Sequence, residues 1–197
     1  MTIRQQILKW VYPVWLGFTR LIGLNNKTME NTNRQGPSQS FYDLKVILNN
    51  GEEFPFSNLK GKKVLLVNTA SDCGYTPQYT DLQQLYKENE AELVVVGFPA
   101  NDFKEQEKGN DEEIAAFCQR NFGVSFPLVK KSTVIKGPGQ NPVFQWLSDP
   151  KKNGWNSQEP VWNFSKYLVN EEGILLQYYG PSVSPLGPEI GNAIKKG

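Results

Sequence analysis

The chain has 197 residues, of which 39% are hydrophobic, and its 21 basic and 20 acidic residues leave a formal net charge of +1. This size fits one globular domain with a substantial core, and the balanced charge argues against binding a nucleic acid. The chain contains two cysteines and no histidine, which excludes a disulfide-rich scaffold, argues against a metal site and rules out every catalytic mechanism that uses an imidazole.

Residues 1–24 form an apolar, amphipathic segment whose composition differs from the rest of the chain. Its uncharged stretch is too short to span a bilayer, and no small-residue cleavage site follows it, so neither a transmembrane helix nor a cleaved signal peptide is expected. Apolar residues recur every three or four positions, which predicts a helix with one apolar face for a membrane surface or for packing on protein. The face comprises Ile3, Ile7, Val11, Trp15, Phe18 and Ile22.

Residues 25–40 contain no aromatic or branched aliphatic residue and are predicted to be a flexible linker to a domain at residues 41–197. Near the start of this domain, residues 44–48 and 52–56 flank an Asn-Gly pair. Asn-Gly accepts the backbone angles of tight turns, so this pattern predicts a β-hairpin outside the main sheet.

Two apolar runs at residues 64–67 and 93–96 flank a polar, helix-compatible stretch at residues 76–90. This order predicts a right-handed βαβ unit with parallel strands. The loop after the first strand then lies at the carboxyl edge of the sheet, where open α/β folds bind their ligands. Cys73 lies in that loop.

The later elements follow similar local signals. Asn110 and the acidic residues after it predict a helix start, and the helix is expected to end near Gly123 with Cys118 on it. Residues 164–169 and 174–178 predict a second hairpin, and residues 188–196 predict a closing helix.

Cys73 is placed for thiol chemistry that needs no histidine. Thr76 is predicted to cap the following helix with Pro77 in its first position, which puts the Cys73 sulfur near free backbone N–H groups that lower the pKa of a thiol. A buried, inert cysteine is the alternative, and Asp72 would raise the thiol pKa if it pointed inward. The loop lacks the second cysteine of a dithiol exchanger, which favours a one-thiol reaction such as attack on a peroxide.

Four segments together resemble the glutathione peroxidase family in order and spacing: NTASDCGYTPQYTDL, FPANDFKEQEKGNDEEI, FCQRNFGVSFPL and VWNFSKYLV. The resemblance covers residues 41–190. It implies an α/β, thioredoxin-like fold with a central mixed sheet flanked by helices, to which the N-terminal hairpin and the N-terminal helical appendage are added. It also implies reduction of hydroperoxides without a cofactor or metal.

The resemblance further implies a catalytic tetrad of Cys73, Gln106, Trp162 and Asn163. Indole and carboxamide N–H groups can donate hydrogen bonds to a thiolate and to the departing oxygen. The resemblance gives Cys118 the role of resolving the Cys73 sulfenic acid into a disulfide, whereas packing on an apolar helix face is the alternative. A disulfide needs Cα atoms within about 7 Å, so the helix around Cys118 is expected to unwind locally after oxidation.

The expected reductant is a thioredoxin-like protein ahead of glutathione, because no clear set of arginines is present to bind the glutathione carboxylates. The segment between Phe144 and Trp162 is short, which indicates an open site that admits lipid hydroperoxides as well as hydrogen peroxide. We expect a cytoplasmic location, with membrane-surface contact through residues 3–22 as an open question. The alternative functions are a redox sensor or a membrane-tethered binding module without efficient turnover, and a structural domain with inert cysteines.

Overall fold

The structure, a computed structural model, describes residues 25–195 and, in the N-terminal segment, residues 3, 6, 7, 10–12 and 14. The strands in this part of the chain are β1 (Thr28–Glu30), β2 (Lys45–Ile47), β3 (Glu53–Pro55), β4 (Lys63–Thr69), β5 (Leu93–Pro99), β6 (Lys166–Val169) and β7 (Leu175–Tyr179). The helices are α1 (Gln78–Glu88), α2 (Asp111–Phe122), α3 (Pro142–Leu147), α4 (Pro150–Asn153) and α5 (Pro188–Lys195), and two short 3-10 helices cover Phe41–Asp43 and Phe56–Leu59.

A five-stranded mixed sheet in the order β1-β7-β6-β4-β5 forms the centre of the domain. Strand β4 pairs in parallel with β5 on one side and antiparallel with β6 on the other, and it is buried along its whole length because hydrophobic clusters cover both of its faces. Its side chains alternate between two hydrophobic clusters, as the pleat of a strand requires. Leu65 and Val67 face the cluster that contains both cysteines, whereas Val64 and Leu66 face the opposite cluster.

The locally encoded elements are found where the sequence predicts them. The parallel β4 and β5 flank α1, β2 and β3 form a separate hairpin, and β6 and β7 form the second hairpin. Helix α2 begins at a reciprocal capping box between Asn110 and Glu113. It ends at Gly123, whose φ of +65° suits a residue without a Cβ.

Residues 25–40 differ from the predicted flexible linker. Strand β1 lies within them and pairs antiparallel with β7 at the edge of the main sheet. The Asn31 carboxamide donates to the Leu175 carbonyl at 3.0 Å, and Ser38 N donates to the Lys152 carbonyl at 3.0 Å. An edge strand is held mainly by backbone hydrogen bonds, and these leave no apolar pattern in the sequence.

The described residues of the N-terminal segment are helical, and they expose an apolar face. The Tyr12 side chain is buried in the core cluster that contains the cysteines. Trp15, Phe18 and Ile22 of the predicted apolar face lie outside the described residues. No helix in the described part of the chain is both long enough and apolar enough to cross a membrane. Large apolar side chains are exposed at Ile3, Ile7, Trp10, Val11 and Val14.

Candidate active site

Cys73 lies in the turn that follows β4, at the carboxyl end of the strand, and only 1% of the residue is exposed. The Thr76 hydroxyl closes this turn by accepting from Cys73 N at 3.0 Å and donating to the Ala70 carbonyl at 2.8 Å. The prediction that Thr76 caps the helix is therefore wrong, because its hydroxyl is used inside the loop. Helix α1 begins at Gln78, and Pro77 before it has helical backbone angles and no side-chain cap.

Three N–H donors converge on the Cys73 sulfur. The Tyr75 backbone N donates to Sγ at 3.4 Å, and the side chains of Trp162 and Asn163 lie near enough to lower the pKa of the thiol. Asn163 Nδ2 additionally donates to Gln106 Oε1 at 3.0 Å. The structure thus brings Cys73, Gln106, Trp162 and Asn163 into one site, at the edge of the sheet where the sequence places the ligand.

The pKa of the Cys73 thiol is shifted in the opposite direction from the one predicted. Burial is the largest influence and raises the pKa above its ordinary value, while the hydrogen bonds from Tyr75, Trp162 and Asn163 lower it. Asp72 raises the pKa further, as expected for a neighbouring carboxylate. The predicted lowering of the Cys73 pKa is therefore wrong for the closed, reduced site, because the depth of the loop was not evident from its small and polar residues.

Asn68 supports the segment that carries Trp162 and Asn163. Its Nδ2 donates to the Trp162 carbonyl at 3.1 Å, and its Oδ1 accepts from Ser165 N at 3.0 Å. Both interactions connect the end of β4 to the chain just before β6. Sequence reasoning missed this role, although a fully buried asparagine at the end of an apolar run is a signal for such a connection.

The outer side of the site is formed by the loop between β5 and α2. The Phe103 ring lies 5.5 Å from the half-buried Trp162 ring between centroids, and Lys104 Nζ lies 5.7 Å from the Trp162 ring centroid. Lys104 and Glu105 both have positive φ angles, 51° and 52°, which bend the chain just before Gln106. The Gln106 carbonyl then accepts from Asp72 N at 3.0 Å and ties this loop to the Cys73 turn.

Glu107 is a buried carboxyl beside the site that sequence reasoning also missed. The residue is 1% exposed, and its Oε2 accepts from Ser71 Oγ at 3.0 Å. Burial is the main cause that raises its pKa to about 7, with Asp72 adding to the effect and Lys131 opposing it. Its position directly after Gln106 gave no indication of burial, since charged residues surround it in the sequence.

Cys118 lies on the buried face of α2 and is fully inaccessible to solvent. Burial raises its pKa to about 12, the nearby Tyr79 side chain lowers it, and the charge of Glu107 raises it. Both cysteines are free thiols and belong to the same hydrophobic cluster. In this packed form, burial therefore favours the neutral thiol of Cys118 over the thiolate.

The family model for glutathione peroxidase matches residues 41–148 of this chain. The glutathione peroxidase-like peroxiredoxin gpx1 from Schizosaccharomyces pombe is 49% identical over 146 residues, which cover 74% of this chain and 91% of that relative. The glutathione peroxidase-like peroxiredoxin HYR1 from Saccharomyces cerevisiae is 45% identical over 146 residues, or 74% of this chain and 89% of that relative.

Solved structures agree with this match. Trgpx in its apo form is 34% identical with a TM-score of 0.61, and the match covers 81% of this chain and 97% of that chain. A DsbF homologue from Corynebacterium diphtheriae shows the fold alone, with a TM-score of 0.57 at 12% identity over 85% of this chain and 89% of that chain. The predicted thioredoxin-like α/β fold is confirmed, and the chain belongs to the glutathione peroxidase family.

Proposed function

We propose that Cys73 is the peroxidatic residue of this thiol-dependent peroxidase. Its sulfur attacks one oxygen of a hydroperoxide, the O–O bond breaks, and the thiol proton goes to the departing oxygen. The products are a Cys73 sulfenic acid and water or an alcohol, so that the sulfur is oxidised by two electrons and the peroxide is reduced by two. This step requires no cofactor.

The observation that carries the proposal is the convergence of N–H donors on Cys73. Charge develops on the sulfur and on the departing oxygen during the attack, and fixed donors stabilise charge best in a site that excludes water. Gln106 Oε1 accepts from Asn163 Nδ2 and helps to orient that carboxamide. No described residue donates to the buried Oδ1 of Asn163, and a hydroperoxide O–H group is a donor that suits it.

Cys118 completes the cycle in this proposal. Its thiol condenses with the Cys73 sulfenic acid to form a disulfide and water. A thiol with a pKa of about 12 in the packed helix does not react readily, so α2 must open locally and expose Cys118 before the disulfide forms. An external dithiol then reduces the disulfide to the two starting thiols.

We propose a thioredoxin-like protein as that dithiol, with glutathione as the weaker donor. The names of the relatives as peroxiredoxins support this choice. The test is steady-state turnover of hydrogen peroxide and of a lipid hydroperoxide with thioredoxin and with glutathione, measured side by side. We expect faster turnover with thioredoxin. Equal or faster turnover with glutathione would contradict the choice of reductant, and a single oxidation that then stalls would instead indicate a redox sensor.

A second proposal concerns where the enzyme acts. The absence of structural disulfides fits a reducing compartment such as the cytoplasm, and we propose that the N-terminal helix holds the enzyme at a membrane surface there. Ile3, Ile7, Trp10 and Val14 follow helical spacing, and Tyr12, on the opposite side of the same helix, is buried in the core. An exposed apolar face with a tryptophan is typical of interfacial helices.

Liposome flotation tests this contact. A double variant with Ile7→Glu and Trp10→Glu should lose vesicle binding, because both side chains are exposed and neither supports the core. A chain that begins at Asn25 is a useful control, since it lacks the helix and retains β1. Equal partitioning of wild type, double variant and truncated chain would contradict the proposal.

A further inference from the structure

Lys166 is a fully buried lysine beneath the active site. Its Nζ donates to three backbone carbonyls: Val183 at 2.7 Å, Phe164 at 2.9 Å and Pro181 at 3.1 Å. A buried ammonium is costly unless its donors are satisfied, and three carbonyls match its three N–H groups. The neighbouring residues of β6 are apolar and buried. A charge at this position therefore needs an explanation beyond the packing of the strand.

Phe164 supplies that explanation. Its φ is +67°, a left-handed conformation that is rare for a bulky residue. Its backbone N donates to the Asn68 carbonyl at 2.6 Å, and its carbonyl accepts from Lys166. Such strain persists only where the surrounding structure fixes it. Both backbone polar groups of Phe164 are held by groups of the buried core.

The strained residue directly follows two members of the tetrad. Trp162 and Asn163 reach Cys73 because the chain turns sharply at Phe164 before it enters β6. If this residue relaxed to an ordinary conformation, the direction of the preceding segment would change. The left-handed turn is thus the backbone feature that aims the indole and carboxamide donors at the sulfur.

Lys166 also connects this turn to the other side of the site. The Pro181 carbonyl that accepts from Lys166 accepts from Gln78 Nε2 as well, at 2.7 Å. Gln78 is the first residue of α1, the helix that follows Cys73. The Pro181 carbonyl therefore connects α1, which follows Cys73, with β6, which follows Trp162 and Asn163.

We propose that Lys166 is a positioning residue for the peroxidase reaction. Its ammonium holds the left-handed turn at Phe164 and the loop at residues 181–183, and thereby keeps the Trp162 and Asn163 side chains beside Cys73. In this proposal Lys166 acts on Cys73 through these groups, while burial raises the pKa of the Asp81 carboxyl and the charge of Lys166 lowers it. The inference deepens the proposed function and rests on it.

Lys166→Met tests the proposal, because methionine has a similar length and lacks the N–H donors. Lys63→Met is the matched control: Lys63 is also a buried lysine of the sheet, at 3% exposure, and its Nζ pairs with Glu171 at 2.6 Å. It lies at the start of β4, whereas Cys73 follows the end of that strand. Both variants are expected to lose stability, and only Lys166→Met should affect the sulfur.

The readout is the pH profile for iodoacetamide alkylation of Cys73, measured in a Cys118→Ser background so that one thiol reacts. In Lys166→Met we expect the profile to move about one unit to higher pH, since weaker donors stabilise the thiolate less. The rate constant for oxidation by hydrogen peroxide should fall about tenfold, in proportion to that shift. Lys63→Met should keep the profile and the rate constant of the background protein.

A profile in Lys166→Met that coincides with that of Lys63→Met would overturn the proposal. If Lys166→Met does not fold, Lys166→Gln decides, because glutamine keeps two donors and should give a smaller shift in the same direction; an unchanged profile in that variant also overturns it. Alkylation needs no peroxide. An inactive wild-type protein would therefore contradict the proposed function, while the alkylation profiles would still decide on the positioning role.

Discussion

The two cysteines lie in one hydrophobic cluster, both are buried, and burial raises the pKa of both. Their surroundings differ in every other respect. Cys73 lies in a turn braced by Thr76 and accepts a hydrogen bond from Tyr75 N, and the nearby Trp162 and Asn163 side chains lower its pKa. Cys118 lies in a regular helix, where burial is the main cause of its raised pKa and the nearby Tyr79 side chain opposes it.

This contrast shows that burial alone does not determine what a thiol does. Around Cys73 the polar groups are fixed before the reaction begins, so the charge that forms on sulfur meets oriented donors. Around Cys118 the packing raises the thiol pKa, and in the proposed cycle its reaction depends on the opening of α2. In the proposed mechanism, Cys73 reacts within its folded surroundings, whereas Cys118 reacts only after it has left them.

The largest expected effect comes from replacing Cys73, the proposed nucleophile. Cys73→Ser should lower peroxidase turnover by more than about 1,000-fold, because a hydroxyl cannot take the place of the sulfur as nucleophile and electron donor. Stopped-flow tryptophan fluorescence with excess hydrogen peroxide measures the first oxidation. A Cys73→Ser protein that still consumes peroxide at a tenth of the wild-type rate would show that Cys73 is not the nucleophile.

Removing the second thiol should separate the two halves of the cycle. Cys118→Ser should keep the rate constant for the first oxidation within about twofold and lose about 100-fold in turnover with thioredoxin, since the sulfenic acid then has no internal partner. Single-turnover and steady-state measurements on the same variant provide the comparison. Wild-type turnover in Cys118→Ser would mean that the two cysteines do not act in sequence.

Removing one of the N–H donors near Cys73 should slow the oxidation of that residue. Trp162→Phe removes one N–H donor and should slow oxidation of Cys73 by about tenfold, because a hydrogen bond to a charged group contributes about 1.5–3 kcal/mol. Trp155→Phe is the matched control, since the Trp155 indole donates to the Leu175 carbonyl at 2.7 Å, away from the sulfur. Equal rates in the two variants would argue against a role for the Trp162 indole.

The smallest expected effect concerns the stability of the helix that holds Cys118. Asn110→Ala removes the cap of α2 and should cost about 1 kcal/mol, which raises the rate of disulfide formation about fivefold and leaves the first oxidation unchanged. Quenched-flow alkylation followed by mass spectrometry measures the disulfide step. Asn141→Ala removes the cap of α3 and should change neither rate. An unaltered disulfide step in Asn110→Ala would argue against release by helix opening.

Sequence reasoning predicted the elements whose signals are local. The βαβ unit, the two hairpins and the Asn110 cap each depend on a few neighbouring residues, and all are present. Strand β1 was missed because edge pairing depends on the backbone of a distant partner. The pKa of Cys73 was misjudged because the depth of a loop is a tertiary property.

The residues of the site also divide into those that the sequence indicates and those that only the tertiary structure reveals. Chemical reasoning alone selected Cys73, whereas the resemblance of four motifs was needed to add Gln106, Trp162 and Asn163. Neither approach found Lys166, because a lysine in an apolar strand gives no indication of the carbonyls it contacts. Two of its three carbonyl partners, Pro181 and Val183, lie in a loop that follows the next strand, and only the folded chain brings them to Lys166.

Mass spectrometry of the protein after one equivalent of hydrogen peroxide tests the central claim most directly, namely that Cys73 is oxidised first and Cys118 resolves it. We predict a peptide that joins Cys73 to Cys118 by a disulfide in the wild type, and a dimedone adduct on Cys73 in Cys118→Ser. Oxidised wild-type protein without this linkage, or an adduct on Cys118 in Cys73→Ser formed at the wild-type rate, would contradict the account.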